Sequence, residues 1–187
     1  MRKKDDEKQQ RIKTAVMQLS LEEGFAGTSI SKIAKKAGVS PATVYIYYAN
    51  KDEMLRDIYT EYAEESYSYL YERTDSGMSA DELIESLMRS YYQYIQEHAD
   101  TYSFIEQFSN CPVLMSSCPR NLSDCGLIEL LQQKERSGEI RQAHIGTILA
   151  VMFSPVRAVV KMEGVTHEDE GTCLDEIIEL VKHALLT

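Results

Sequence analysis

The chain of 187 residues has no tryptophan, four prolines and no apolar run approaching the ~20 residues that a membrane-spanning helix needs. Its polar start, MRKKDDEKQQ, has no apolar core of a signal peptide, so the expected location is the cytoplasm, away from any membrane. Cysteine is scarce. Cys111, Cys118 and Cys125 recur at even spacing, but Pro112 and Pro119 interrupt any helix that would align them, and no close C-x₂₋₄-C pair of a zinc site exists. Buried, reduced thiols are the expectation, with a thiol sensor as the sharper alternative. His98, His144, His167 and His183 are scattered, and His167-Glu168 has Gly171 where a zincin would need its second histidine. There is no G-x-S-x-G elbow, Walker loop or dinucleotide fingerprint. These absences leave no metal site, no cofactor and no catalytic constellation to expect.

What is present is helical periodicity almost throughout. Ile12, Ala15, Val16 and Leu19 make the stripe of a first helix that ends near Gly24. Ile30, Ile33, Ala34 and Ala37 make a second, capped by Thr28 or Ser29 and closed by Gly38. A third follows at once, with Ser40 as N-cap and Pro41 at the first helical position, where its missing N–H would have had no partner. Two short helices joined by a tight turn are a helix-turn-helix, whose second helix enters the DNA major groove. Val44 and Tyr48 face its core, while Pro41, Ala42, Thr43, Tyr45 and Ile46 lie at the leading end or outside. Asn50 and Glu53 then cap a long helix, which places Lys51 beside free N–H groups to clamp a phosphate.

Charge is segregated along the chain. Residues 1–56 hold 11 Lys and Arg against 7 Asp and Glu, a balance of +4; the remaining 131 hold 9 against 23, which brings the whole to −10. An approaching phosphate responds to the local field within roughly 8–10 Å, so the basic segment is the part suited to nucleic acid.

Beyond Lys51 the body is a series of amphipathic helices. Ser79 and Glu82 form a capping box, a shorter helix follows Asp100, and Gly138 ends another. The last two, about His144 to Glu163 and Thr172 to Leu186, are the most apolar; the acidic His167-Glu168-Asp169-Glu170 between them reads as a linker. Their stripes include Met152, Val156 and Val159, then Leu174, Ile178, Val181 and Leu185, which suit either one chain's core or a seam between copies. The middle helices are rich in aromatic residues and methionine. Tyr59, Tyr62, Tyr91, Tyr94, Phe104, Phe108 and Met115 suit an apolar cavity with a few hydroxyls, although core packing explains each singly.

The first 55 to 60 residues resemble the TetR family of transcriptional repressors. The likeness rests on Gly24-Phe25, Thr28, Ile33 to Ser40, Thr43-Val44-Tyr45, Tyr47-Tyr48, Asn50-Lys51 and Leu55. It implies an all-α fold: a helix-turn-helix DNA-binding domain over 1–50 and a helical effector-binding and dimerisation domain over 51–187. It implies phosphate contacts from Thr28, Thr43, Tyr47 and Lys51, base-facing Pro41, Ala42 and Tyr45, and Ser40 in the same surface. It further implies a homodimer bundled through the last two helices of each subunit, a double-stranded DNA operator, and a small effector in the middle helices. Family members often carry Lys-Gly in place of Pro41-Ala42 and His in place of Ile46, so no base preference is carried over. A ligand-independent regulator, a helical protein-binding module and a helical enzyme are the other readings.

Overall fold

The computed structural model describes residues 2–109, 126–162 and 167–187. The chain is all-α, with nine helices among the described residues: α1 Arg2–Gly27, α2 Ile30–Ala37, α3 Pro41–Tyr47, α4 Lys51–Tyr71, α5 Ala80–Glu97, α6 Ala99–Ser109, α7 Gly126–Arg136, α8 Ile145–Val160 and α9 His167–Leu185. Met115, Cys111, Cys118 and Cys125 lie outside the described residues.

Local chemistry fixes the ends of these helices. Gly24 interrupts α1 with φ 71° and ψ 168°, a conformation that a side chain at Cβ strongly disfavours. Ser29 Oγ accepts from the Lys32 N–H at 3.3 Å to cap α2. At the other end Gly38 is left-handed, its N–H bonds the Lys35 carbonyl, and the Val39 N–H reaches back to Ala34 at 2.9 Å. The box at α5 is complete, the Ser79 N–H donating to Glu82 at 2.8 Å and the Glu82 N–H to Ser79 Oγ at 3.3 Å.

Packing divides the chain into two compact units, residues 1–63 with 98–119, and residues 64–97 with 120–187. The first unit thus reaches beyond residue 50, because α6 returns to pack on α1 and brings Phe104 and Phe108 into one core with Ile12, Val16, Ile33, Val44, Leu55 and Ile58. Lys13 of α1 pairs with Glu61 of α4 within it. The second unit packs α5, α8 and α9 on one another, and α7 on α8. Its chain end is pinned where the Arg141 N–H donates to Leu185 at 2.7 Å.

The expected linker at 167–170 is instead the first turn of α9. Acidic residues favour a helix N-terminus, whose free N–H groups carry partial positive charge, and Glu170 is buried there with the Tyr92 hydroxyl donating to it at 2.8 Å. Met152, Val156, Val159, Leu174, Ile178, Val181 and Leu185, read as candidates for a seam between copies, are 0–6% exposed within the single chain. They form the core where α8 meets α9, because each stripe is covered by its neighbour in the same unit.

Lys182 of α9, nearly buried, donates to Glu85 at 2.6 Å and lies 2.9 Å from Asp81 and 3.3 Å from Glu179. Its partners hold the ammonium above its ordinary pKa against the opposing pull of burial. The Lys182 bond, then Arg89, holds the Glu85 carboxyl below its ordinary value. A carboxylate depressed in this way contributes stability above its unfolded pKa and loses it as pH falls through the folded value. Lys182→Met should lower stability at pH 7 by ~1–3 kcal/mol and flatten the loss on acidification, as measured by thermal unfolding between pH 7 and 3. Parallel acid limbs in the two proteins would refute that role for the pair.

Candidate nucleic-acid interface

The tight turn after α2 leaves α3 standing on the edge of its unit with one side inward. Val44 and Tyr48 are buried, Thr43 and Tyr47 half-buried, and Pro41, Ala42, Tyr45 and Ile46 exposed. The exposed four recur at i, i+1, i+4 and i+5, one continuous outer face of the helix. Ser40 Oγ accepts from the Thr43 N–H at 3.1 Å and lies 2.9 Å from Thr43 Oγ1, so both hydroxyls set the start of α3.

The residues expected at phosphates hold one corner of the fold together. Thr28 is 3% exposed and its hydroxyl donates to the Phe25 carbonyl at 2.8 Å, so this side chain shapes the turn and does not face outward. Lys51, half-buried at the start of α4, donates to the carbonyls of Phe25 at 2.5 Å and Thr28 at 2.9 Å. An ammonium has three N–H donors, and a phosphate beside this corner would meet the charge already fixed in place. Asn50 Oδ1 accepts from the Glu53 N–H at 2.9 Å and caps the same helix. The Tyr47 hydroxyl donates to the Asp5 carbonyl at 3.3 Å, which draws the α1 tip to the end of α3. Partial burial, then Asp5 and Asp6, raises its pKa. Burial raises Tyr48 as well, and a bond with Gln9 answers the buried hydroxyl.

The aromatic set proposed for an effector is split between the two units. In the first, Tyr59 stacks on Phe108 with centroids 4.1 Å apart, and Tyr62 meets Phe104 edge-on at 5.9 Å. In the second, Tyr91 packs on Phe153 at 4.7 Å and Tyr94 on Tyr69 at 5.2 Å. Ile46, at 78% the most exposed large apolar side chain among the described residues, is not among the residues that the resemblance assigns to DNA; its i+4 spacing from Ala42 is the signal that marks it. The contacts of Asp5 and Gln9 with α3 had none, since they join residues some forty positions apart.

Residues 12–58 match the family described as bacterial regulatory proteins, tetR family. A helix-turn-helix-type transcriptional regulator of Haemophilus influenzae, described as uncharacterized, is 25% identical over 138 residues, 74% of this chain and 73% of that protein. A fatty acid metabolism regulator protein of Bacillus subtilis is 37% identical over 54 residues, 29% of this chain and 28% of the relative. In fold, the crystal structure of a TetR family transcription regulator from Marinobacter aquaeolei superposes with TM-score 0.81 at 24% identity, covering 100% of this chain and 99% of that one.

Lys51→Met should act twice. Freeing the two carbonyls should destabilise the first unit by ~1–3 kcal/mol, read by chemical denaturation, and removing the charge should weaken DNA binding about equally for all sequences with a shallower salt slope. Unchanged stability and slope would disprove the clamp.

Proposed function

We propose that this chain, whose residues 12–58 match the TetR family, is a DNA-binding transcriptional regulator of that family and a repressor: a homodimer that binds a palindromic or near-palindromic operator in the cytoplasm and is released by a small apolar or aromatic effector. The observation that carries this reading is the outer face of α3, left uncovered on a unit whose N-terminal sequence is basic. A helix of seven residues reaches few base pairs, so two heads on two half-sites supply what one lacks. Ser40, Thr43, Tyr47 and Lys51 are assigned to the backbone of the DNA, and Pro41, Ala42 and Tyr45 to its bases.

The pairing surface follows from what the core leaves over. With the inner stripes of α8 and α9 used within the chain, the outer side of α8 shows Ala150, Ser154 and Ala158, and that of α9 shows Ile177, Leu180 and Ala184. Leu180 is 69% exposed. Small residues on one helix and larger apolar ones on the next suit close packing of four helices around a two-fold axis. Leu180→Glu should therefore yield a monomer by sedimentation and lose operator binding while its helical content is kept. A dimer of undiminished strength would place the seam elsewhere.

An apolar effector agrees with the aromatic content of α4, α5 and α6 and with the relative described as a fatty acid metabolism regulator. Within the first unit, the Phe104 and Phe108 rings lie edge-on to Phe25 with centroids 5.9 and 5.7 Å away, so a shift of α6 acts on the corner that Lys51 holds. A long-chain fatty acid as probe should lower operator affinity by about 5 to 150-fold, and operator should weaken its binding by the same factor. Equal fatty acid affinity with and without operator would remove that class of effector.

A further inference from the structure

We infer that α3 reads the 5-methyl groups of thymine, with Ile46 as the principal contact and Ala42 beside it. The inference rests on the reading of α3 as the helix that enters the major groove. The sequence of α3 is PATVYIY, with no Arg, Lys, Asn, Gln, Asp or Glu. Bidentate recognition of guanine needs Arg or Lys, bidentate recognition of adenine needs Asn or Gln, and an acceptor for cytosine needs Asp or Glu, so α3 has none of these. Its half-buried hydroxyls, Thr43 2.9 Å from Ser40 Oγ and Tyr47 donating to the Asp5 carbonyl, would have to exchange those partners to reach DNA and are assigned to phosphates, not to bases. Tyr45, 56% exposed, adds one hydroxyl at the rim of the face.

What the face offers in their place is carbon. Ala42 and Ile46 stand one helical turn apart on the same side, and Ile46 is 78% exposed. A branched aliphatic chain so exposed adds nothing to the core, while in the major groove it meets the one apolar group that a base pair displays there, the thymine methyl. The occupant is duplex DNA and not an apolar protein surface, because Lys51 follows Ile46 by five residues at the start of α4 and the N-terminal segment has a balance of +4. Specificity then falls on the position of thymines, and the operator half-site should be A·T-rich beneath α3.

The test uses the full chain. Operators are selected from random duplex DNA, and fluorescence anisotropy is measured for the wild type and Ile46→Ala on the selected duplex and on copies with single deoxyuridines replacing thymidines. Loss of one contacted methyl should weaken the wild type about four-fold, and about fifteen-fold when made in both half-sites. The same replacement should leave Ile46→Ala unaffected, and Ile46→Val should restore most of the penalty. Circular dichroism checks that the exposed substitution leaves the fold intact. If deoxyuridine costs both proteins equally, or costs nothing at any position while the operator is still bound selectively, Ile46 is not a methyl reader and the inference is overturned. Failure of the wild type to bind any duplex selectively would overturn the underlying assignment of α3 instead, and this inference with it.

Discussion

The DNA-reading unit depends on one corner, the turn from Gly24 to Thr28. Gly24 breaks α1 with a backbone geometry that other residues strongly resist, and the chain then crosses to α2 in a few residues. Each neighbour grips that crossing. The Phe25 ring lies edge-on to Phe104 and Phe108 of α6, its carbonyl accepts from both Thr28 and Lys51, and Lys51 also takes the Thr28 carbonyl. The start of α4 and the face of α6 are thereby joined to the entry of α2, which sets α3 through the Gly38 turn. Backbone carbonyls that would otherwise need water at this partly buried site are satisfied by a charged donor, the stronger kind of hydrogen bond. A lysine that sequence alone assigns to DNA is therefore a structural part of the head as well.

Much of this was legible in the sequence because local rules governed it. The caps at Ser29, Ser40, Asn50 and Ser79, the stop at Gly38 and the break at Gly24 all lie where short-range chemistry predicts, since a cap is decided within four residues. The stripe of Met152, Val156, Val159, Leu174, Ile178 and Val181 was equally legible as apolar. What covers it was not, because a 3.6-residue period records that a face is buried without recording whether the cover is the same chain or another copy. The return of α6 to α1 was hidden for the same reason: nothing near Phe104 marks its partner some eighty residues earlier as Phe25. At 167–170 a run of acids read as a linker, but Glu170 finds Tyr92, and a helix start tolerates negative charge better than most places in a fold.

The acidic composition follows a related division. In the second unit Lys182 and Arg89 are surrounded by Asp81, Glu85, Glu179 and Asp175, so cations there tie helices together and are not available to an anionic ligand. Part of the basic charge of the first unit is engaged in the same way, Lys32 with Glu23 at 2.5 Å and Lys36 with Glu22 at 2.6 Å. These pairs are largely exposed and individually weak, so a phosphate of higher charge density can compete for either lysine at small cost. The balance of +4 measures a reserve of charge distributed over α1, α2 and α4, none of it on α3.

That distribution separates two tasks that a charged recognition helix would combine. Attraction to the DNA backbone is long-ranged and indifferent to sequence, and in the proposed function it is assigned to lysines on the elements framing α3. As inferred above, the helix itself would contribute contacts that act only at van der Waals distance, between carbon atoms and the major-groove edge of a base pair. A wrong sequence then meets no long-range attraction from α3 to hold it, and a right one gains only if the backbone contacts have already fixed the register. Since an apolar contact loses much of its worth with an ångström of separation, the rigidity of the Gly24 to Thr28 corner is a condition for α3 to discriminate at all.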